Sequence, residues 1–341
     1  MFIVTVTPLD NGIFKDELSY FSKVSIETGA LVLVPIRGRE IISLVISVKP
    51  ANTVKASLKK SDFSLKKISD IVHPGIFNPY ILQSAKEASE YFGVNLGMTL
   101  KFMTPKIIIE SLTSKKWPLP KNTPHKDAIG SAAVRPDYLA LQDSTTERIG
   151  FYRSIIRESL ARGQSVFVLV PTALTAEKLQ PHLGKGIENH TKVLHSKIKD
   201  QTIITEWKAA LESDQPTLYI ATALFLSVPK SNLGLIIVEN DSSDDYEPVS
   251  RPFIDPRRLA EFIAKIGHLK LLIGDTILRP DTIYRIENKE IIAAAPLQYR
   301  INNNIERQII DMRQPPAEGE KESFNIFSPQ VESLIREAEI K

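Results

Sequence analysis

The 341-residue chain has no cysteine. That excludes disulfides, thiolate zinc sites, iron–sulfur clusters and a cysteine nucleophile. Histidine is scarce: six residues, at 73, 125, 182, 190, 195 and 268, with no pair at helical i, i+4 spacing. A histidine-based metal site is therefore not expected. No apolar run reaches the roughly 18 residues of a membrane-spanning helix. The opening stretch MFIVTVTPLDNGIF lacks a basic region followed by a long apolar one, so no signal peptide is expected and the location implied is cytoplasmic. Charge of one sign is also missing: 43 Lys and Arg face 40 Asp and Glu, a net of +3.

That small net charge hides an uneven spread. Residues 1–130 carry 17 basic and 11 acidic side chains, a balance of +6, and the rest carries 26 against 29, a balance of −3. A basic half is a candidate for contact with a polyanion, because phosphates attract clustered Lys and Arg and release counterions. An ordinary solvated surface reads the same way. The apolar content, 43%, is enough for a sizeable core.

The first part reads as a small β-domain. Residues 2–8 and 30–48 are strand-like, and LVLVPI and IISLVISV flank the turn-forming Arg37-Gly38-Arg39. Residues 49–67 hold six lysines and one acid, Asp62, and read as a basic loop. Residues 78–92 have apolar positions at helical spacing, with Asn78 as N-cap, Pro79 in the first turn and Gly93 as stop. Prolines 118, 120, 124 and 136, with several lysines and little periodicity, mark 109–137 as a linker.

Beyond it, helix and strand alternate. Helices are expected at 147–162, 173–183, 203–211 and 256–267; strands at 165–171, 192–196, 217–222, 233–240 and 269–274. Short, uniformly apolar strands between helices predict a parallel, doubly wound sheet. Ligands of such sheets sit at the C-terminal strand ends.

Those ends carry VPTALTAEKL (170–179), LHS (194–196), ATALFLSVP (221–229), NLGLIIVEN (232–240) and LLIGDT (271–276). Their order resembles a superfamily 2 helicase lobe, and in detail the primosomal protein N′ family, PriA, the replication-restart helicase. LSYFSKVSIETGALVLVPIRGREIISLVISV (18–48) and ASEYFGVNLGMTLKFMTP (88–105) resemble that family's 3′-DNA-binding domain. The resemblance runs over about residues 1–335. It implies an α/β chain: a β-rich DNA-binding domain over 1–108, the linker over 109–137, a RecA-like helicase lobe 1 over 138–300, and the start of a connection to a second lobe over 301–341. The second lobe, with its cysteine-rich zinc module, and the family's winged-helix domain are not expected here. A naturally short protein and a piece of a longer one would look alike.

The resemblance also implies where a nucleotide would bind, and there the residues depart from it. A phosphate loop needs glycines, a Lys and a Ser or Thr. The family's G-S-G-K-T aligns with Thr145, Thr146, Glu147, Arg148 and Ile149. Its D-E-E-H aligns with Glu239, Asn240, Asp241 and Ser242, so an amide stands where a carboxylate would accept the water's proton. Glu239 keeps a carboxylate that could reach a metal. The coupling motifs become Ala221-Thr222-Ala223-Leu224 and Asp275-Thr276-Ile277-Leu278. No catalytic residue, ATP, Mg²⁺ or Zn²⁺ site is therefore expected. Asp241, Asp244 and Asp245 read as an exposed acidic loop rather than a cation site, and His195 as structural.

In the family an F-D-Y triplet forms the pocket for the terminal base of a 3′ end; it aligns with Leu18, Ser19 and Tyr20. Tyr20 is a candidate to stack on a base, and stacking is sequence-tolerant. Leu18 and Tyr20 as plain core residues are the competing reading. Arg37, Gly38 and Arg39 join the pocket candidates. Lys55, Lys59, Lys60, Lys66 and Lys67 are candidate phosphate contacts. The expected function is a non-catalytic, PriA-like DNA-binding protein of replication restart. Its expected partners are single-stranded or forked DNA, with primosome or single-strand-binding proteins. A divergent ATP-dependent helicase and a pure interaction subunit stay open as alternatives.

Overall fold

A computed structural model describes residues 1–10, 12–13, 15–51, 65–114, 116–119, 137–297, 309–310 and 326–339. The chain divides into two units, Met1–Gln298 and Tyr299–Lys341.

The first unit begins with a six-stranded sheet: β1 (Phe2–Pro8), β2 (Leu18–Ser22), β3 (Leu31–Ile36), β4 (Arg39–Pro50), β5 (Lys66–Lys67) and β6 (Asp70–His73). Its order is β5-β2-β1-β4-β3-β6. Val4, Val6, Val32, Val34 and Val45 alternate along their strands and bury one face. The β3–β4 hairpin turns on Arg37 and Gly38, both at positive φ (49° and 79°). Two such residues match the right-handed twist of the strands they join. The sheet curls: the Tyr20 hydroxyl on β2 donates to the Pro35 carbonyl on β3, 3.3 Å away, although two strands lie between them in the order.

Three helices follow, α1 (Pro79–Phe92), α2 (Leu96–Phe102) and α3 (Lys106–Ser111). α1 starts at Asn78 with Pro79 in its first turn and ends at Gly93 in the left-handed region, as its sequence signals predict. α2 presses on β1 at Gly97, where a Cβ would stand 1.9 Å from the Pro8 carbonyl oxygen. Only glycine permits that approach.

The remainder of the unit is a seven-stranded sheet with helices. Its strands are β7 (Tyr138–Gln142), β8 (Ser165–Leu169), β9 (Thr191–Leu194), β10 (Leu218–Ala221), β11 (Leu233–Glu239), β12 (Lys270–Asp275) and β13 (Ile292–Ala293). The order is β13-β7-β12-β11-β8-β10-β9, and every pairing is parallel. The helices are α4 (Thr145–Ala161), α5 (Ala173–Leu183), α6 (Asp200–Glu212), α7 (Pro256–Gly267) and α8 (Pro280–Glu287). β8 and β10 are buried at every position, which is why they read as continuous apolar runs. This is the parallel, doubly wound sheet expected from the alternation.

Besides a buried cluster of its own, each sheet shares a third with the other. α1 packs along α7, and one buried cluster runs from Leu31 and Ile81 to Leu259 and Ile263. Tyr80 donates to the Lys230 carbonyl (3.1 Å) and Ser84 to that of Phe262 (3.2 Å). Ser227 donates to the Met103 carbonyl and meets the Thr104 hydroxyl, both at 2.7 Å. The expected linker starts inside this packing. The 108/109 boundary falls within α3, Ile109 and Leu112 are buried, and Trp117 packs on the cluster. Residues 120–136 lie outside the described residues.

In the second unit the described helix is α9 (Pro329–Glu339). Among the described residues no helix is long and apolar enough to cross a membrane.

Candidate functional site

Two places were singled out by sequence. The first is the end of the β-domain sheet around Tyr20. β5 runs parallel to β2, with Lys66 opposite Tyr20 and Lys67 opposite Phe21. The Tyr20–Pro35 bond brings the β3–β4 hairpin to the same place. Ser19, Arg37, Gly38, Arg39, Lys66 and Lys67 are exposed, and Leu18 is half-buried. None of the four cations forms an ion pair among the described residues. Tyr20 itself is only 5% exposed and belongs to the β-domain core. Burial and the nearby Glu40 carboxylate push its phenol above the ordinary value. A base cannot stack on a ring already packed between strands, so the stacking role expected for Tyr20 is corrected to a core role. Lys55, Lys59 and Lys60 lie outside the described residues.

The second place is the C-terminal end of the parallel sheet, where β7, β12 and β11 finish side by side. β7 ends at Gln142 and α4 starts at Thr145, capped by Ser144, which accepts from the Glu147 N–H at 3.4 Å. Asp143 and Ser144 alone connect strand to helix. That is too little backbone to ring a phosphate with N–H groups. Arg148, on the first turn of α4, reaches across the end of β12 to Glu239 at the end of β11. Its two nitrogens donate to the two carboxylate oxygens at 2.7 and 3.4 Å. Its remaining terminal nitrogen donates to the Asp143 carbonyl (2.7 Å) and the Thr276 hydroxyl (2.8 Å). The Tyr152 hydroxyl, one turn further along α4, donates to Glu239 at 2.6 Å. Arg148 and Glu239 are 2% and 3% exposed. Burial alone would lower the guanidinium's pKa, but the Glu239 carboxylate outweighs it and holds Arg148 above the ordinary arginine value. Burial and the same carboxylate push the Tyr152 phenol well up.

Thus the residues that the resemblance sets at the phosphate loop and the metal position are bonded to each other. Every acceptor oxygen of Glu239 is engaged within the protein, which corrects the expectation that it could reach a metal. Thr145, Thr146 and Glu147 are exposed on the first turn, and Ile149 packs against the cluster under the sheet. Asn240 takes a left-handed φ of 60°, a conformation that its short amide side chain tolerates. Asp241 is not part of an exposed loop. It is fully buried, accepting from the Arg279 N–H and Nε and from the Thr282 hydroxyl at 3.0, 3.1 and 2.7 Å. Asp244 and Asp245 are exposed, as expected. Among the described residues no group of three or more His, Cys, Asp or Glu could hold a metal ion. His195 is buried, 3.4 Å from Glu177, and accepts at Nδ1 from the Lys197 N–H.

Sequence reasoning missed Tyr152, Tyr246 and Gly274. The Tyr246 hydroxyl donates to the Glu239 and Leu169 carbonyls at 2.8 and 3.0 Å, tying β11 to β8. Gly274 on β12 lies under Tyr152, where a Cβ would be 1.7 Å from the hydroxyl. Neither relation leaves a mark in linear spacing.

Comparison with known proteins bears on the first of these two places. The family model described as the 3′DNA-binding domain (3′BD) of PriA matches residues 7–105, which contain the whole end of the sheet around Tyr20. The chain is similar to PriA over most of its length. The Replication restart protein PriA of Helicobacter pylori (strain J99) is 22% identical over 86% of the chain and 45% of its own length. That of Bacillus subtilis (strain 168) is 22% identical over 55% of the chain and 24% of its own length. That of Chlamydia pneumoniae reaches 30% over 36% of the chain and 16% of its own length. The chain thus spans less than half the length of the PriA proteins it matches. Among solved structures, the DEAD-box helicase Mss116 bound to ssRNA and UDP-BeF has a TM-score of 0.33 and 14% identity, covering 65% of this chain and 47% of that one. The parallel, doubly wound character of the lobe rests on its own strand order.

Proposed function

We propose that this PriA-like chain is a DNA-binding protein of replication restart that works without ATP. The β-domain binds single-stranded or forked DNA through Ser19, Arg37, Gly38, Arg39, Lys66 and Lys67, with Lys55, Lys59 and Lys60 as further phosphate contacts. The lobe serves as a packed support. The observation that carries the DNA reading is the 3′DNA-binding-domain match over 7–105, with its unpaired cations gathered at one end of the sheet. The reading of an inactive lobe is supported by the Arg148–Glu239 pair. A nucleotide would have to break that pair to enter.

Fluorescence anisotropy with forked, single-stranded and duplex DNA across a salt series tests the first half. Phosphate contacts give a steep, linear loss of affinity with log salt. Absence of salt-sensitive binding at low salt overturns it and favours an interaction subunit. Thermal unfolding with and without Mg-ATP tests the second half. A ligand present at a hundred times its Kd stabilises by about 2.7 kcal/mol, so a flat Tm is expected. A Mg-ATP-dependent rise that is lost in Arg148→Ala points instead to a divergent ATPase.

A further inference from the structure

We propose that a groove between the β-domain and α1 binds a short basic peptide of a partner protein, held by apolar side chains flanked by Lys or Arg. The cavity measures about 1400 Å³ and is bounded by β4, α1, the start of α2 and the 251–253 loop. Small-molecule sites run to roughly 1,000 Å³. This one is large enough for several side chains of an extended or helical segment.

Its wall is apolar, built by Leu44, Phe77, Leu82, Leu96 and Phe253, the last 55% exposed. An exposed aromatic ring beside aliphatic neighbours is the kind of surface that anchors a partner's side chain. The rim decides which partner. Asp16, Glu17, Glu27 and Glu90 line it, all exposed, and none is ion-paired among the described residues. Lys86 and Arg251 are the cations on the rim. Four acids against two bases give −2 locally, in a chain whose net charge is +3. The groove therefore repels phosphates while the opposite sign gathers around Tyr20. It attracts a cationic protein segment and rejects nucleic acid.

The groove is also preformed. Gly97 lies against the Pro8 carbonyl, and the Asn95 side chain accepts from the Met98 N–H (2.7 Å) and donates to the Ile13 carbonyl (2.9 Å). A wall already fixed loses little freedom when a peptide enters.

The absence of native cysteine makes the test clean. The full chain carrying Gln83→Cys, an exposed and uncharged groove position, is labelled with a bimane, whose emission a nearby tryptophan quenches. The probe is a short peptide with Leu and Trp anchors flanked by lysines. Two controls replace its lysines by glutamate, or its Leu anchors by serine. Saturable quenching by the basic probe in the micromolar range is expected, with both controls much weaker. Reversing two rim charges, Glu17→Lys with Glu27→Lys, is expected to weaken the probe about tenfold, since each exposed pair contributes up to about a kilocalorie. Phe253→Ser, which removes an apolar anchor and no charge, weakens the probe and leaves forked-DNA affinity unchanged, which separates this groove from the DNA site. Equal binding of the acidic control, indifference to the charge reversal, or no quenching into the millimolar range each overturns the proposal.

Discussion

Replacing Glu239 by Gln leaves the shape of the sheet end almost unchanged and removes one charge. Arg148 would then be buried at 2% exposure with only neutral acceptors bonded to it: the new amide oxygen, the Asp143 carbonyl and the Thr276 hydroxyl. Breaking a buried pair from one side costs about 3–5 kcal/mol, because an uncompensated charge remains. In a unit of this size that is a fall in Tm of roughly 6–12 °C. Arg148→Met alone should cost less, because the stranded carboxylate keeps the Tyr152 hydroxyl at 2.6 Å. The double variant Arg148→Met with Glu239→Gln strands no charge, and replacing a whole buried pair is often close to neutral. Urea unfolding followed by the emission of Trp207, which is fully buried on α6, gives all four corners of the cycle. The expected coupling is about 2 kcal/mol or more, with m-values alike. Two outcomes refute the reasoning: a Glu239→Gln cost below about 1 kcal/mol, or single effects that simply add.

Gly274→Ala puts a Cβ into the Tyr152 hydroxyl and should cost about 1–3 kcal/mol, and Tyr152→Phe should recover part of that loss in the double variant, read by thermal unfolding. Tyr80 and Tyr138 are pushed up to about 12, chiefly by burial, so their neutral forms favour the folded state; that contribution is complete below pH 10 and is lost as pH rises through 12. The share of tyrosinate absorbance that a Tyr80→Phe, Tyr138→Phe variant lacks should therefore rise together with loss of helical signal rather than ahead of it. Burial lowers His73 below its ordinary 6.5, so its contribution is present above pH 6.5 and fades as pH falls through the folded value; His73→Gln should flatten that acid limb of a Tm–pH profile. Changing Arg37, Arg39, Lys66 and Lys67 together to Gln should leave stability nearly untouched and reduce the salt slope of single-strand binding by up to about 3, at about 0.7 for each phosphate no longer neutralised.

Much of the architecture was legible because its signals are local. α5 and α7 occupy 173–183 and 256–267, the ranges read from apolar spacing, with Thr172 and Asp255 capping them. The strand pattern announced a parallel sheet because β8 and β10 are buried on both faces. β7 escaped notice: YLALQ is five residues long and half polar at its ends. α8 escaped although Arg279-Pro280 is a fair start signal, because its apolar stripe is only Ile283 and Ile286. The site was less legible. A motif alignment marks Arg148 and Glu239 as two separate departures. That they answer each other, 91 positions apart, depends on β11 and β7 lying on either side of β12. For Tyr20 the residue type allows both stacking and a core role, and only its burial beside Pro35 decides for the core.

The shared packing of α1 and α7 has a consequence for how much of the chain can be dispensed with. The face of α1 formed by Ile81, Ala85 and Ala88 is fully buried, and Leu259, Ile263 and Ala264 of α7 belong to the same cluster. A β-domain cut free at residue 112 would turn that stripe to water and become sticky. The lobe thus covers an apolar stripe that its neighbour cannot bury alone, and solubility alone gives a reason to keep it.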